Sequence, residues 1–133
     1  LETFLITKPS DAIQARERAR EMAKNLGFGL VDQTKLAFAV SEMALKLIAI
    51  ADVCRMNIDY FLKEEKAGIE VSMYERHRMA GPVDTQWAAQ LVDDLDVSHN
   101  RFDETRITFR KWRKATESND CAPCKATATG GKE

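Results

Sequence analysis

The stretch from residue 32 to residue 51 constrains this chain more than any other feature. Leu36, Ala39, Val40, Met43, Ala44, Leu47, Ile50 and Ala51 recur at helical spacing, and Phe38, Leu45, Ile48 and Ala49 make most of the remaining surface apolar too. A helix that is apolar nearly all round must be buried between layers. Everything else in the chain therefore has to supply cover for this segment. Ser41, Glu42 and Lys46 are the three polar residues that stand out on it.

The flanking sequence supplies that cover. Thr3 to Thr7 (TFLIT) is a short β-rich run, and a first helix is expected to start near Ser10 or Asp11, with Asp11 and Gln14 spaced as in a capping box. Ala12, Ala15, Ala19, Met22, Ala23 and Leu26 form its stripe, and Gly27 is placed to end it in a left-handed conformation. Residues 55–62 alternate as a strand, residues 63–68 read as a turn, and 69–73 as the return strand of a hairpin. A polar loop, YERHRMAGPVD, leads to a third helix expected over 85–95, with Trp87, Ala88, Leu91, Val92 and Leu95 as its stripe. Val97 and the run from Thr105 to Trp112 read as two closing strands. The order β-α-α-β-β-α-β-β predicts an α+β two-layer sandwich, with a mixed, mostly antiparallel sheet covered on one face by three helices.

Composition narrows the function classes. Twenty Lys and Arg against 21 Asp and Glu leave a net charge of −1, without the basic surplus of a nucleic-acid binder. No apolar run reaches the ~18 residues of a membrane span. The segment LETFLITKPSD lacks the pattern of a secretory signal, and three cysteines are too few for a disulfide scaffold. The expected setting is cytoplasmic, with no nucleic-acid or membrane partner. Residues 1–114 read as the folded domain. Residues 115–133 contain no Leu, Ile, Val, Met or aromatic residue, so they are expected to form a disordered tail carrying the pair Cys121 and Cys124.

The segment AREMAKNLGFGLVDQTKLAFAVSEMALKL, residues 19–47, resembles the small anti-sigma-factor serine kinases and stressosome switch kinases of bacteria, in the GHKL (histidine-kinase-like) ATPase superfamily. A looser likeness of order and spacing extends the resemblance over about Leu5 to Lys114. It implies a histidine-kinase-like fold and three nucleotide-binding devices. The first is a helical Glu and, four residues on, an Asn whose amide oxygen ligates Mg²⁺. Here those positions hold Glu42 and Lys46, and an ammonium has no acceptor for a metal. The second is Asp-x-Gly-x-Gly after the hairpin, which holds adenine. Here Glu75 stands near the Asp, and Arg76, His77, Arg78, Met79 and Ala80 precede Gly81. The third is a glycine-rich lid that cradles phosphate at a helix N-terminus. Between Gly81 and Trp87 there are five residues, none of them glycine, and Asp84 brings negative charge there.

With metal ligand, adenine pocket and phosphate cradle altered together, the expected reading is a scaffold that has lost ATPase or kinase chemistry, with no cofactor, and that acts as a regulatory protein-binding module. The resemblance implies a STAS-domain antagonist, a sigma factor or a PP2C-type phosphatase regulator as partner, and a homodimer as a further assembly. Arg76, His77 and Arg78 in the loop, with Asp93 and Asp94 at the expected C-terminal end of the third helix, are the candidate partner-binding residues. Carboxylates at a helix C-terminus oppose the macrodipole, which singles out that acidic end. The alternative reading is an active serine/threonine kinase or ATPase, in which Glu75 holds adenine and Lys46 with Arg76 or Arg78 replaces Mg²⁺ as counter-charge to ATP. The plainer readings are an i,i+4 ion pair for Glu42 and Lys46, a solvated loop for 75–82 and an exposed acidic end at Asp93. No zinc spacing surrounds His77 or His99. A redox-responsive adaptor using Cys121 and Cys124 is a third, separate expectation.

Overall fold

Pro9 and Gly27 bracket the first helix of the computed structural model, which describes residues 1–51, 53–76, 83–100 and 104–114. Strand β1 (Glu2–Ile6) runs into helix α1 (Pro9–Leu26). The helix is capped by Lys8 in an extended conformation with Pro9 in the first turn, where its missing N–H costs nothing. Asp11 is therefore inside the helix and not at its cap. Its Oδ2 accepts hydrogen bonds from the Thr7 N–H at 3.0 Å and the Thr7 hydroxyl at 3.1 Å. Gly27, at φ 99°, ends the helix, and the Phe28 N–H returns to the Ala23 carbonyl at 2.9 Å. This left-handed turn sends the chain directly into α2 (Leu30–Ala51).

The alanine stripe Ala12, Ala15, Ala19 and Ala23 is fully buried, and small side chains let the two helices approach closely. On α2, Leu36, Ala39, Val40, Met43, Ala44 and Leu47 are buried against α1 and the sheet, whereas Phe38 and Ile50, expected to be covered, are 50% and 44% exposed because the helical layer has no further layer outside it.

Strands β2 (Cys54–Lys63) and β3 (Lys66–Arg76) form a long hairpin, followed by a short 3-10 helix at Gln86–Gln90 and strands β4 (Asp94–His99) and β5 (Glu104–Trp112). The sheet order is β1-β2-β3-β5-β4, and each neighbouring pair is antiparallel. The expected α+β sandwich is present, with two helices on one face where three were expected.

The third helix is a correction. Only five residues of the 85–95 stretch are helical, and as 3-10 helix. Asp93 breaks the continuation by joining the sheet. Its N–H donates to the Arg110 carbonyl at 2.9 Å, and its Oδ2 accepts from the Trp112 N–H at 2.7 Å. Leu95 then pairs with Phe109 in the β4–β5 ladder. Asp93, Asp94 and Asp96 consequently stand at no helix end, and the macrodipole reasoning for an acidic helix terminus falls away.

The hairpin is also tighter than expected. Its turn is Glu64 and Glu65 alone, at φ 57° and 78°. Gly68 belongs to β3, where a Cβ would collide with the Lys111 carbonyl of β5. The alternation of β3 puts Ile69, Val71, Met73 and Glu75 on the helix-covered face. Glu70, Ser72 and Tyr74 face the uncovered side.

Candidate functional site

Helix α2 and the end of β3 define one end of the helical layer. Glu42 is half-buried and Lys46 exposed, both in the second half of α2. No ion pair joins them. Lys46 Nζ instead lies 5.7 Å from the centroid of the Trp87 ring. Trp87 donates its indole N–H to the Asp84 carbonyl at 2.9 Å and meets Phe38 of α2 edge-on, with ring centroids 6.3 Å apart at 89°. An ammonium near an indole face is attracted by the ring quadrupole, and Lys46 takes this aromatic neighbour and not the carboxylate one turn back. The expected i,i+4 ion pair is thus replaced by a contact between α2 and the segment before β4.

Glu75 is 3% exposed on the helix-covered face of β3, opposite Thr105 in the ladder with β5. Its neighbour Cys54 is fully buried. Burial first, and then the negative charge of Glu75, push the Cys54 thiol up to about 12. Ser41 is buried as well, and its hydroxyl donates to the Phe38 carbonyl at 3.4 Å, so it serves its own helix.

The candidate partner-binding residues do not form one surface. Arg76 pairs with Glu104 at one end of β5, whereas Asp94 pairs with Arg110 six residues further along, roughly 20 Å away at strand rise. Asp93 and Asp94 border a groove of about 830 Å³ at the hairpin end, with Lys63, Lys66 and Trp112. There Asp94 Oδ2 accepts from the Trp112 indole at 3.1 Å. His77, Arg78 and Gly81 lie outside the described residues, as do Cys121 and Cys124.

Among the described residues no cluster of three His, Cys, Asp or Glu side chains is placed to hold a metal ion. No helix there is long and apolar enough to cross a membrane.

No family model matches the chain. Serine/threonine-protein kinase RsbT of Bacillus subtilis (strain 168) is 34% identical over 61 residues, covering 46% of this chain and 46% of that protein. The alignment thus spans less than half the length of that relative. The crystal structure of the RsbU and RsbW domains of Rv1364c from Mycobacterium tuberculosis matches with a TM-score of 0.60 and 20% identity, over 86% of this chain and 34% of that one. The fold is like that of the RsbW domain.

Within this RsbW-like fold, sequence reasoning missed two contributors. Trp87 reads as part of an apolar stripe, yet its ring is the partner of Lys46. The row of Arg55, Tyr74 and Arg106 across the uncovered face is invisible until the strands are in register. The outward position of Arg55 in an alternating strand was the one available signal.

Proposed function

We propose that this chain is a non-catalytic regulatory module of a bacterial partner-switching stress pathway, built on a serine-kinase scaffold whose nucleotide site is degenerate. The single observation that carries this reading is the Lys46–Trp87 contact. The kinase resemblance puts a metal-ligating amide at residue 46. The chain has an ammonium there, with three donors and no acceptor, and an indole ring lies against it. Mg²⁺ finds no ligand in either group. The likeness to RsbT supports a place in stress signalling, where a STAS-domain antagonist, a sigma factor or a PP2C-type phosphatase regulator is the partner. A cytoplasmic setting accompanies that role.

The competing reading is a working kinase with a rebuilt pocket. It draws on the name of RsbT, a serine/threonine kinase, and on the buried carboxylate of Glu75. Calorimetry with ATP, with and without Mg²⁺, separates the two. The proposal expects no saturable heat in either condition. Micromolar binding that is lost in Glu75→Gln overturns it in favour of the kinase.

A further inference from the structure

The uncovered face of the sheet is built in cross-strand rows. One row runs Leu5, Arg55, Tyr74, Arg106, Ser98 through five strands. The guanidinium carbon of Arg55 lies 4.5 Å from the Tyr74 ring centroid and that of Arg106 lies 5.6 Å from it. Two rows away the same face treats an arginine differently. Arg110 donates to Glu70 Oε2 at 2.7 Å while stacking on Phe61 at 4.6 Å.

Arg55 and Arg106 have the stacking partner without the carboxylate. Neither makes an ion pair among the described residues, and both are exposed. A guanidinium held near a ring face keeps its N–H donors available for carboxylates. Leu5, 64% exposed at the end of the row, adds an apolar contact. Beside Arg106 lies a recess of about 290 Å³ lined by Tyr74, Ser98, His99, Asn100, Glu104 and Arg106. The one carboxylate lining it, Glu104, is occupied by the Asn100 amide at 3.0 Å.

We propose that Arg55, Tyr74 and Arg106 form a docking clamp for an acidic segment of a protein partner, one with carboxylates at alternate positions of an extended chain. The inference rests on the protein-binding reading above and names the chemistry of the partner. Charge complementarity selects this occupant: two forked cations stand in a row that holds no acid. Two strand spacings put β2 and β5 roughly 10 Å apart, and alternate residues of an extended peptide are about 7 Å apart, a difference flexible side chains span. A nucleic acid strand carries the same sign of charge, and the oligothymidine arm of the test separates it from an acidic peptide.

The test uses the full chain and a fluorescein-labelled ten-residue peptide of alternating Glu and Val, read by anisotropy. The same peptide with Gln for Glu, a labelled oligothymidine strand and the unliganded protein in sedimentation serve as the other arms. Saturable binding of the Glu peptide is expected, weakened about tenfold in Arg55→Gln/Arg106→Gln and changed less than about twofold in Arg110→Gln. Arg106→Lys, which keeps charge and loses the fork, is expected to fall between them. Urea midpoints show that each variant is folded. Equal binding of the Gln peptide, indifference to the double variant, tighter binding of oligothymidine, or self-association abolished by the double variant each overturns the proposal. A lost clamp with no ATP binding sinks this inference alone. ATP binding sinks the functional reading whatever the peptide does.

Discussion

Lys111 Nζ lies 3.2 Å from Asp32 Oδ1, and the two side chains are only 4% and 11% exposed. This pair ties the last strand to the first turn of α2, the helix on which the candidate site is built. Removing one partner of a buried ion pair leaves the other charge without compensation, at a cost of about 3–5 kcal/mol. Asp32→Leu, which strands the buried Lys111 ammonium, is expected to lower stability by roughly that amount in urea unfolding, and Lys111→Leu by less, because Asp32 keeps a further interaction. The double variant is expected to recover part of the Asp32→Leu loss, because the stranded ammonium is gone while the further interaction of Asp32 stays lost.

The hairpin turn carries local strain. Glu64 and Glu65 both adopt positive φ, a conformation that costs L-residues roughly 1–2 kcal/mol each and that Asn-Gly adopts readily. The substitution Glu64→Asn/Glu65→Gly is expected to raise the urea midpoint, with a gain of about 1–2 kcal/mol. No change in stability would contradict the left-handed geometry.

Helix α1 carries a pH signature. The Thr7 backbone N–H, more than anything else, holds the Asp11 carboxyl below its ordinary value of 3.8; desolvation opposes it, and the Thr7 hydroxyl, the Lys8 backbone and the Lys8 charge add to the lowering. A carboxylate with a depressed folded-state pKa contributes stability above the unfolded value and loses it as pH falls through the folded one. Asp11→Ala is therefore expected to lower the urea midpoint at neutral pH. The gap between variant and parent is expected to close as the solution is acidified below about pH 4.

Cys54 is shielded chemically. Its thiol, ordinarily near 9.0, is pushed up to about 12 by burial and by the charge of Glu75, and the thiolate is the species that reacts. Iodoacetamide at pH 8, read by peptide mass mapping, is expected to leave Cys54 unmodified in native protein and to label it in urea. Stability is expected to decline as pH rises from about 9 towards 12, where the unfolded thiol ionises and the folded one does not. Cys54→Ala is expected to remove that component.

The parts of the fold legible in the sequence were those fixed by local pattern. The apolar helix over 32–51, the glycine before it and the alternation of Met56 and Ile58 each carry their own periodicity and lie along the chain where it placed them, whereas the all-round burial of that helix does not follow, because its outer face has no layer to cover it. Over 85–95, Trp87, Ala88, Leu91, Val92 and Leu95 satisfy a helical stripe equally well as a 3-10 turn followed by an edge strand. Hydrogen bonds from Asp93 to residues of β5 decide between them, and no local window contains those partners. The same holds at the candidate site. Glu42 and Lys46 are spaced for an ion pair, and an aromatic residue 41 positions away redirects one of them.

Whether the region beside α2 admits a nucleotide decides between a regulatory module and a kinase. Crystals of the chain grown with Mg²⁺ and a non-hydrolysable ATP analogue read this directly. The predicted result is an unchanged Lys46–Trp87 contact and no nucleotide density between α2 and the end of β3. An adenine ring seated against Glu75, with its phosphates reaching towards Glu42 and Lys46, would contradict it.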